Sequence, residues 1–147
     1  MKKLTMLSLG VLAVMSCSSD DSTEEQVSIV GTWKEAKTVI YSGTNNAILD
    51  TEMPDDCDKK NTYEFASSGV LTTNIFYTKA DGTCGVDGTF TENYSYNSST
   101  KKITVDGDTT DVLALTQNEL QIVADENDEN DENGDGVNDK MVMYFYR

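Results

Sequence analysis

The sequence predicts an all-β fold, a small eight-stranded antiparallel up-and-down barrel. Segments with the composition of short strands recur at regular spacing, and residues that favour tight turns separate them. After Gln26, no stretch keeps a helical apolar period over three turns. The predicted strands are residues 29–41, 61–66, 70–78, 88–97, 101–106, 110–116, 119–125 and 140–147. Eight strands are enough to close a small barrel without exposed edges.

The first and last predicted strands are expected to pair and close the barrel. The last one, Met141–Tyr146, is apolar on both faces, as a strand inside a closed sheet can be. Apolar and polar residues do not alternate cleanly in the first strand, because a regular strand would place the charged Glu35 and Lys37 on the same face as the apolar Trp33. We therefore expect a β-bulge after Trp33 that redirects the side chains beyond it.

Length and charge limit the classes of function. The 147 residues are enough for one domain with a modest core. The formal net charge of −15 opposes binding to nucleic-acid phosphates, so no nucleic acid is expected as a partner. The chain has no histidine, which removes the commonest general base and zinc ligand. Because the sequence pattern does not bring two acidic side chains into one pocket, we predict that the protein is not an enzyme.

The N-terminus has the pattern of a secretory signal peptide. Lys2 and Lys3 precede the apolar stretch Leu4–Val14, which is too short to span a bilayer. The stretch ends in Val14-Met15-Ser16-Cys17, which resembles the lipobox of bacterial lipoproteins, although Met15 stands where a small residue is usual. The resemblance implies that residues 1–16 are removed and that Cys17 is acylated, with palmitate among its acyl chains. Ordinary signal cleavage with a free Cys17 is the alternative.

Residues 17–28 are predicted to form the lipidated N-terminus and a flexible acidic tether, and residues 29–147 the barrel domain. The lipid anchor makes the membrane a partner, because several acyl chains give stable attachment. We expect the outer membrane of a Gram-negative bacterium. The Ser- and Asp-rich tether also resembles an export signal to the outer face, and a linker alone is the alternative.

Two cysteines remain in the predicted mature domain, Cys57 and Cys84. The cell envelope is oxidising, so a pair of thiols there is most simply a disulfide. The two positions flank a predicted hairpin that turns near Ser68-Gly69, so they can meet if its longer arm bulges. A redox or metal-binding thiol pair is the alternative, and the sequence has no CxxC motif to support it.

An acidic segment, Asp125–Asp139, joins the last two predicted strands and has the spacing of a calcium loop. Gly136 permits the sharp turn that such a loop needs. The predicted ligands are Asp131, Asn133, Asp135, the carbonyl of Val137, and Asp139. Val142 stands where an EF-hand has a bidentate Glu, so we expect weak affinity, about 10⁻⁴ to 10⁻³ M. A solvated acidic loop without a metal is the alternative.

Several short motifs resemble the small lipocalin-like domains of bacterial lipoproteins. They are Gly31-Thr32-Trp33-Lys34, Tyr63-Glu64-Phe65 with Gly69, Phe90–Tyr94, and Leu113–Asn118 with Leu120. The resemblance implies that Trp33, two residues after Gly31, seals the closed end of the barrel and that Arg147 stacks across it. A plain core tryptophan and a frayed terminal arginine are the alternatives. It also implies that Ser42–Asn61 is a lid over the open end, with apolar contacts from Tyr41, Ile48 and Leu49.

Two functions remain open. The first is a binding module for a small apolar or amphipathic ligand or a glycan, with Tyr94 and Tyr96 lining the pocket. Glu92 shares their parity and is either a polar anchor in the pocket or a rim residue. The second is a structural protein with a filled barrel that serves an outer-membrane protein complex. The volume left between the inward side chains distinguishes the two.

Overall fold

The computed structural model of the chain describes residues 27–125 and 131–147. The predicted signal peptide, Cys17 and most of the tether lie outside these ranges, as does the first part of the acidic segment. Within the two ranges, no helix is long and apolar enough to cross a membrane.

All strands pair antiparallel, and the eight-stranded barrel predicted from the sequence is confirmed. The strands are β1 (Gly31–Tyr41), β2 (Ile48–Glu52), β3 (Thr62–Phe65), β4 (Val70–Thr78), β5 (Cys84–Asn97), β6 (Lys102–Val105), β7 (Asp108–Leu115), β8 (Glu119–Asp125) and β9 (Lys140–Tyr146). From β3 to β9 each strand pairs with the next one in the chain, and β1 pairs with both β3 and β9. This last pairing closes the barrel, as expected.

The ninth strand, β2, corrects the expectation of a lid. It pairs with the end of β1, with Thr38 opposite Glu52 and Tyr41 opposite Ile48. The first residues of β1 pair with β3 along one edge, and β2 pairs with the end of β1 along that same edge. The middle of Ser42–Asn61 therefore extends the sheet and does not cover the open end, and the side chain of Ile48 is exposed.

The bulge predicted in β1 is confirmed. The register between β1 and β9 shifts between Glu35, which pairs with Phe145, and Lys37, which pairs with Tyr144. The extra residue, Ala36, reverses the alternation of side chains. Glu35 consequently shares the inner face with Phe145, whereas Lys37 shares the outer face with Tyr144 and lies over its ring.

A buried apolar cluster fills the end of the barrel where β1 begins and β9 ends. Its members are Ile29, Trp33, Phe65, Leu71, Ile103, Val112, Leu120 and Phe145. The β3–β4, β5–β6 and β7–β8 turns lie at this end, which we call the closed end. The β4–β5 and β6–β7 turns and residues 131–139 of the acidic segment lie at the opposite, open end.

The β4–β5 hairpin projects beyond its neighbours at the open end. β5 pairs with β4 from Cys84 to Asn93, and it pairs with β6 only from Tyr94 to Asn97. The short β6–β7 hairpin ends near Asn93, whose carbonyl accepts the N–H of Asp106. The inner face of the projecting part of β5 is therefore left uncovered, and Phe90 on that face is 51% exposed.

Candidate functional site

A cavity of about 560 Å³ occupies the barrel above the apolar cluster. Its size falls in the range of small-molecule sites. Most of the wall is apolar, and polar groups concentrate where the β6–β7 hairpin meets the open end. The lining residues are Tyr63, Phe65, Leu71, Glu92, Ile103, Val105, Asp106, Asp108, Thr109, Thr110, Ile122, Val123, Ala124, Met143 and Phe145.

The floor of the cavity is built by inward residues of paired strands. Leu71 of β4 pairs with Glu92 of β5, so both side chains are on the inner face. The rings of Tyr63 and Phe145 meet edge to face, with centroids 5.1 Å apart. Burial, followed by the nearby negative charge of Glu35 and Asp58, raises the pKa of Tyr63 to about 12. The Tyr63 phenol therefore stays protonated at neutral pH and offers a hydrogen-bond donor to the interior.

Three carboxylates mark the mouth of the cavity: Glu92, Asp106 and Asp108. All three are exposed, and within the described ranges none forms an ion pair or a side-chain hydrogen bond. Asp106 begins the β6–β7 turn with a φ of 49°, a conformation that Asp and Asn tolerate better than most residues. No lysine or arginine lines the cavity. The mouth is therefore negatively charged.

The predicted ligand residues Tyr94 and Tyr96 lie below this cavity and do not line it. Both pack against the apolar cluster of the closed end. The Tyr94 hydroxyl donates a 2.8 Å hydrogen bond to the carbonyl of Ala66, and its ring meets Phe65 edge to face. Burial also raises the pKa of Tyr94. On β5, it is Glu92 that reaches the cavity.

The closed end is sealed around Trp33, which is fully buried. Its indole N–H donates a 2.8 Å hydrogen bond to the carbonyl of Ile29. The guanidinium carbon of Arg147 lies 4.2 Å from the centre of the Trp33 ring. Gly31 has a φ of 139° and leaves room for Arg147, because a Cβ there would lie 2.9 Å from the guanidinium nitrogen Nη1. These are the three residues to which the family resemblance assigned the seal.

The described part of the acidic segment folds around its own carboxylates. Asp131 accepts the N–H of Asp135 at 3.0 Å and that of Gly136 at 2.7 Å. The Asn133 side chain also accepts from Asp135, and the N–H of Val137 donates to the Asp135 carboxylate at 2.9 Å. The turn thus places these oxygens along the inside of a short loop.

This loop is attached to the segment that follows β1. The buried Asp139 accepts the N–H of Gly43 at 3.1 Å and that of Glu132 at 2.8 Å. The Thr44 hydroxyl donates to Asp135 at 2.7 Å, and this bond is the main reason why the pKa of Asp135 is lowered. Among the described residues, no three acidic or cysteine side chains converge on one metal-sized point. Calcium binding by these residues stays a prediction.

The predicted disulfide between Cys57 and Cys84 is confirmed. It joins the segment before β3 to the start of β5, and the Cα atoms of the two residues are 5.3 Å apart. The longer arm of the hairpin bulges, as this bridge requires, because the β4–β5 register shifts after Ile75. The bridge fixes the projecting hairpin beside the open end of the barrel.

Sequence reasoning missed the mouth residues Asp106 and Asp108 and the interior Tyr63. Asp106-Gly107 is a typical turn sequence, and a turn between β6 and β7 has to lie at the open end once the strand order is known. Tyr63 shares its strand face with Phe65, which is the signal that places it inside the barrel.

Comparison with known proteins agrees with this architecture. The family model of the lipocalin-like domain matches residues 29–122. Comparison with curated proteins finds no match. Among solved structures, the chain is similar to a lipocalin-like protein from Bacteroides uniformis, with 17% sequence identity and a TM-score of 0.48 over 80% of this chain and 96% of that chain. Because the family model spans more than half of the sequence, this chain belongs to the lipocalin-like domain family.

Proposed function

We propose that this protein is a lipid-anchored binding module of the bacterial outer membrane and has no catalytic role. Its barrel would hold a small amphipathic molecule. The observation that carries this proposal is the cavity of about 560 Å³, which lies on an apolar floor and opens at a polar mouth. Such a site combines apolar area for affinity with a few polar groups for orientation.

The alternative, a filled barrel that acts only through its outer surface, has less support. Packed side chains fill the barrel at the level of Trp33 and Leu120, but the filling does not continue to the open end. A purely structural barrel of eight strands is expected to be filled in every layer. The retained volume therefore favours ligand binding over a role as accessory to an outer-membrane complex.

The described chain starts on the side of the barrel that suits a lipid anchor. The described chain starts beside the closed end, where Arg147 binds the carbonyls of Ser28 and Val30. A membrane anchor at Cys17 would thus be linked to the closed end, opposite the cavity mouth. A ligand can then reach the mouth from the aqueous side while the protein stays attached to the membrane.

We also propose that the acidic loop binds calcium weakly. All five predicted donors are oxygens, which suits this hard cation. Asp131, Asn133 and Asp135 already direct oxygens to the inside of the turn. The ion would add to the attachment between this loop and the segment after β1.

Binding of a fluorescent probe tests whether the cavity holds a ligand. The neutral dye N-phenyl-1-naphthylamine becomes fluorescent in apolar sites, and we expect it to bind the purified chain carrying Cys17→Ser, which has no attached acyl chain to compete. Ala124→Trp places a large ring in an exposed part of the cavity wall and should abolish the signal. Ala47→Trp, on an exposed loop away from the cavity, should retain it. Equal dye binding by both variants would disprove a ligand site in the barrel.

A further inference from the structure

We propose that the cavity selects amphiphiles with a cationic head group and discriminates against those with a carboxylate or sulfate head. This inference rests on the proposed binding function and names the chemical class of its ligand. The argument starts from the charges that face the cavity. Three acids line it and no base does, and the carboxylates of Glu92, Asp106 and Asp108 all lie on the side where a head group would emerge.

Among the described residues, no lysine or arginine forms an ion pair with these carboxylates. The closest lysine along the chain is Lys102 of β6, which forms a 2.8 Å ion pair with Asp111. Lys102 precedes the buried, inward Ile103 and thus points to the outer face. The negative potential at the mouth is left for a ligand to compensate.

Of the other described cations, three are engaged away from the cavity, and the remaining lysines, Lys34, Lys59, Lys60, Lys79 and Lys101, do not line it. Lys37 and Lys140 lie over the rings of Tyr144 and Tyr41 on the outer face. Arg147 covers Trp33 at the closed end. An anionic head group at the mouth would therefore meet three carboxylates and no compensating base.

The interior adds to this preference. Glu35 faces the barrel beside Phe145 and accepts a hydrogen bond from Thr38 at 2.8 Å. A carboxylate on the inner face of the wall opposes the entry of a second negative charge, because charges repel more strongly where protein replaces water between them. The phenol of Tyr63 can donate a hydrogen bond to a hydroxyl or ether oxygen of a ligand, but it carries no positive charge to offset Glu35.

The uncovered inner face of β5 supplies an apolar contact next to the acids. Phe90 lies two residues before Glu92 on the same face of the strand, and its ring covers Gly88. Half of the Phe90 side chain is exposed at the mouth. An aromatic face beside carboxylates suits an alkylammonium group, whose apolar surface can pack on the ring while its charge meets the acids.

A competition experiment tests the preference for charge. Decyltrimethylammonium, decanoate and the neutral decanol have the same alkyl chain and are compared as competitors of N-phenyl-1-naphthylamine on the Cys17→Ser protein, at concentrations below micelle formation. Three nearby carboxylates should make decyltrimethylammonium bind at least about tenfold more tightly than decanoate at low salt. Addition of 1 M salt should reduce this ratio, since the charges are exposed to solvent.

The triple variant Glu92→Gln, Asp106→Asn, Asp108→Asn should bring the ratio of the two affinities close to one, with the dye affinity of the variant measured first and used to calculate each competitor's affinity. Asparagine tolerates the positive φ of residue 106, so the turn is preserved. A matched variant, Asp50→Asn, Glu52→Gln, Glu64→Gln, makes the same change of net charge at exposed positions that do not line the cavity and should keep the wild-type ratio.

The outcomes separate this inference from the proposed function. If the wild-type protein binds the dye but the cationic and anionic amphiphiles compete equally, the charge preference is wrong and the binding function stands. If both triple variants lose the preference alike, net charge explains it and the mouth is not selective. If the wild-type protein does not bind the dye, the proposed function fails, and the inference fails with it.

Discussion

The guanidinium of Arg147, the last residue of the chain, stacks on Trp33, the buried tryptophan of the first strand, at 4.2 Å. The same side chain donates hydrogen bonds to the carbonyls of Val30 at 2.8 Å and Ser28 at 3.2 Å. A third goes to the carbonyl of Gln117 in the β7–β8 turn. One arginine thus ties together the beginning of the barrel, its end and an intervening turn.

We expect Arg147→Ala to lower the free energy of unfolding by about 1–2 kcal/mol, because it removes the stack on Trp33 and the hydrogen bonds to three carbonyls. Arg147→Lys should recover only part of this loss, since an ammonium cannot reproduce the planar fork of donors. Urea unfolding followed by Trp33 fluorescence measures both. Lys60→Ala removes an exposed cation that forms no ion pair or side-chain hydrogen bond with the described residues, and it serves as the control. Equal stability of all variants would mean that the stack contributes nothing.

Loss of the disulfide should destabilise the domain. Cys57 and Cys84 close a loop of 27 residues. Without this cross-link the unfolded chain gains conformational entropy, which lowers the free energy of unfolding by about 3–4 kcal/mol. We expect the double variant Cys57→Ser, Cys84→Ser to show this loss in urea unfolding, and a reductant to destabilise the wild-type protein by the same amount. The reductant should leave the double variant unchanged. A reductant effect in that variant would assign the loss to another cause.

Gly43 lies where two loops approach so closely that a side chain would not fit. A Cβ at this position would lie 2.0 Å from the carbonyl oxygen of Asn138. Gly43→Ala must therefore separate the acidic loop from the segment after β1 and weaken the hydrogen bond to Asp139. We expect faster amide exchange of residues 42–44 and 131–139 in this variant. Gly82→Ala, in an open turn, should leave exchange in these segments unchanged.

Calcium binding by the acidic loop predicts a rise in melting temperature at millimolar calcium, because a ligand that binds only the folded state stabilises it. Asp131→Asn should reduce the rise, whereas Glu64→Gln, on an exposed strand position, should retain it. Magnesium at the same concentration should have a smaller effect, since it requires stricter geometry and loses its water reluctantly. An unchanged melting temperature would leave the segment as a solvated acidic loop.

Strand order and the closure of the barrel were predictable, because period-two patterns and turn residues depend on neighbours along the chain. The depth of a side chain inside the barrel was not. The parity of Tyr94 and Tyr96 correctly predicts that they face inward, but parity does not distinguish the filled closed end from the open cavity. Strand β2 was missed because Ile48–Glu52 is mostly polar and pairs only with an edge that the short β3 leaves free.

The buried Tyr63 makes stability sensitive to high pH. Its pKa is raised to about 12 in the folded protein and is 10.0 without the fold. A group whose pKa is raised by folding contributes its full stabilisation below the pKa of the unfolded state. That contribution is therefore complete below pH 10 and is lost as pH rises from about 10 to about 12.

Absorbance at 295 nm, which follows tyrosine ionisation, measures this directly. Tyr144 also has a pKa raised to about 12, by burial first and then by its hydrogen bond to Tyr41. Two tyrosines should accordingly ionise near pH 12 in the folded protein. Tyr63→Phe should remove one of these late steps and Tyr144→Phe the other, and Tyr63→Phe should also flatten the fall of stability between pH 10 and pH 12. If Tyr63→Phe retains both late steps, Tyr63 ionises normally and the phenol is solvated. In that case the interior of the barrel around Tyr63 contains more water than its apolar floor implies.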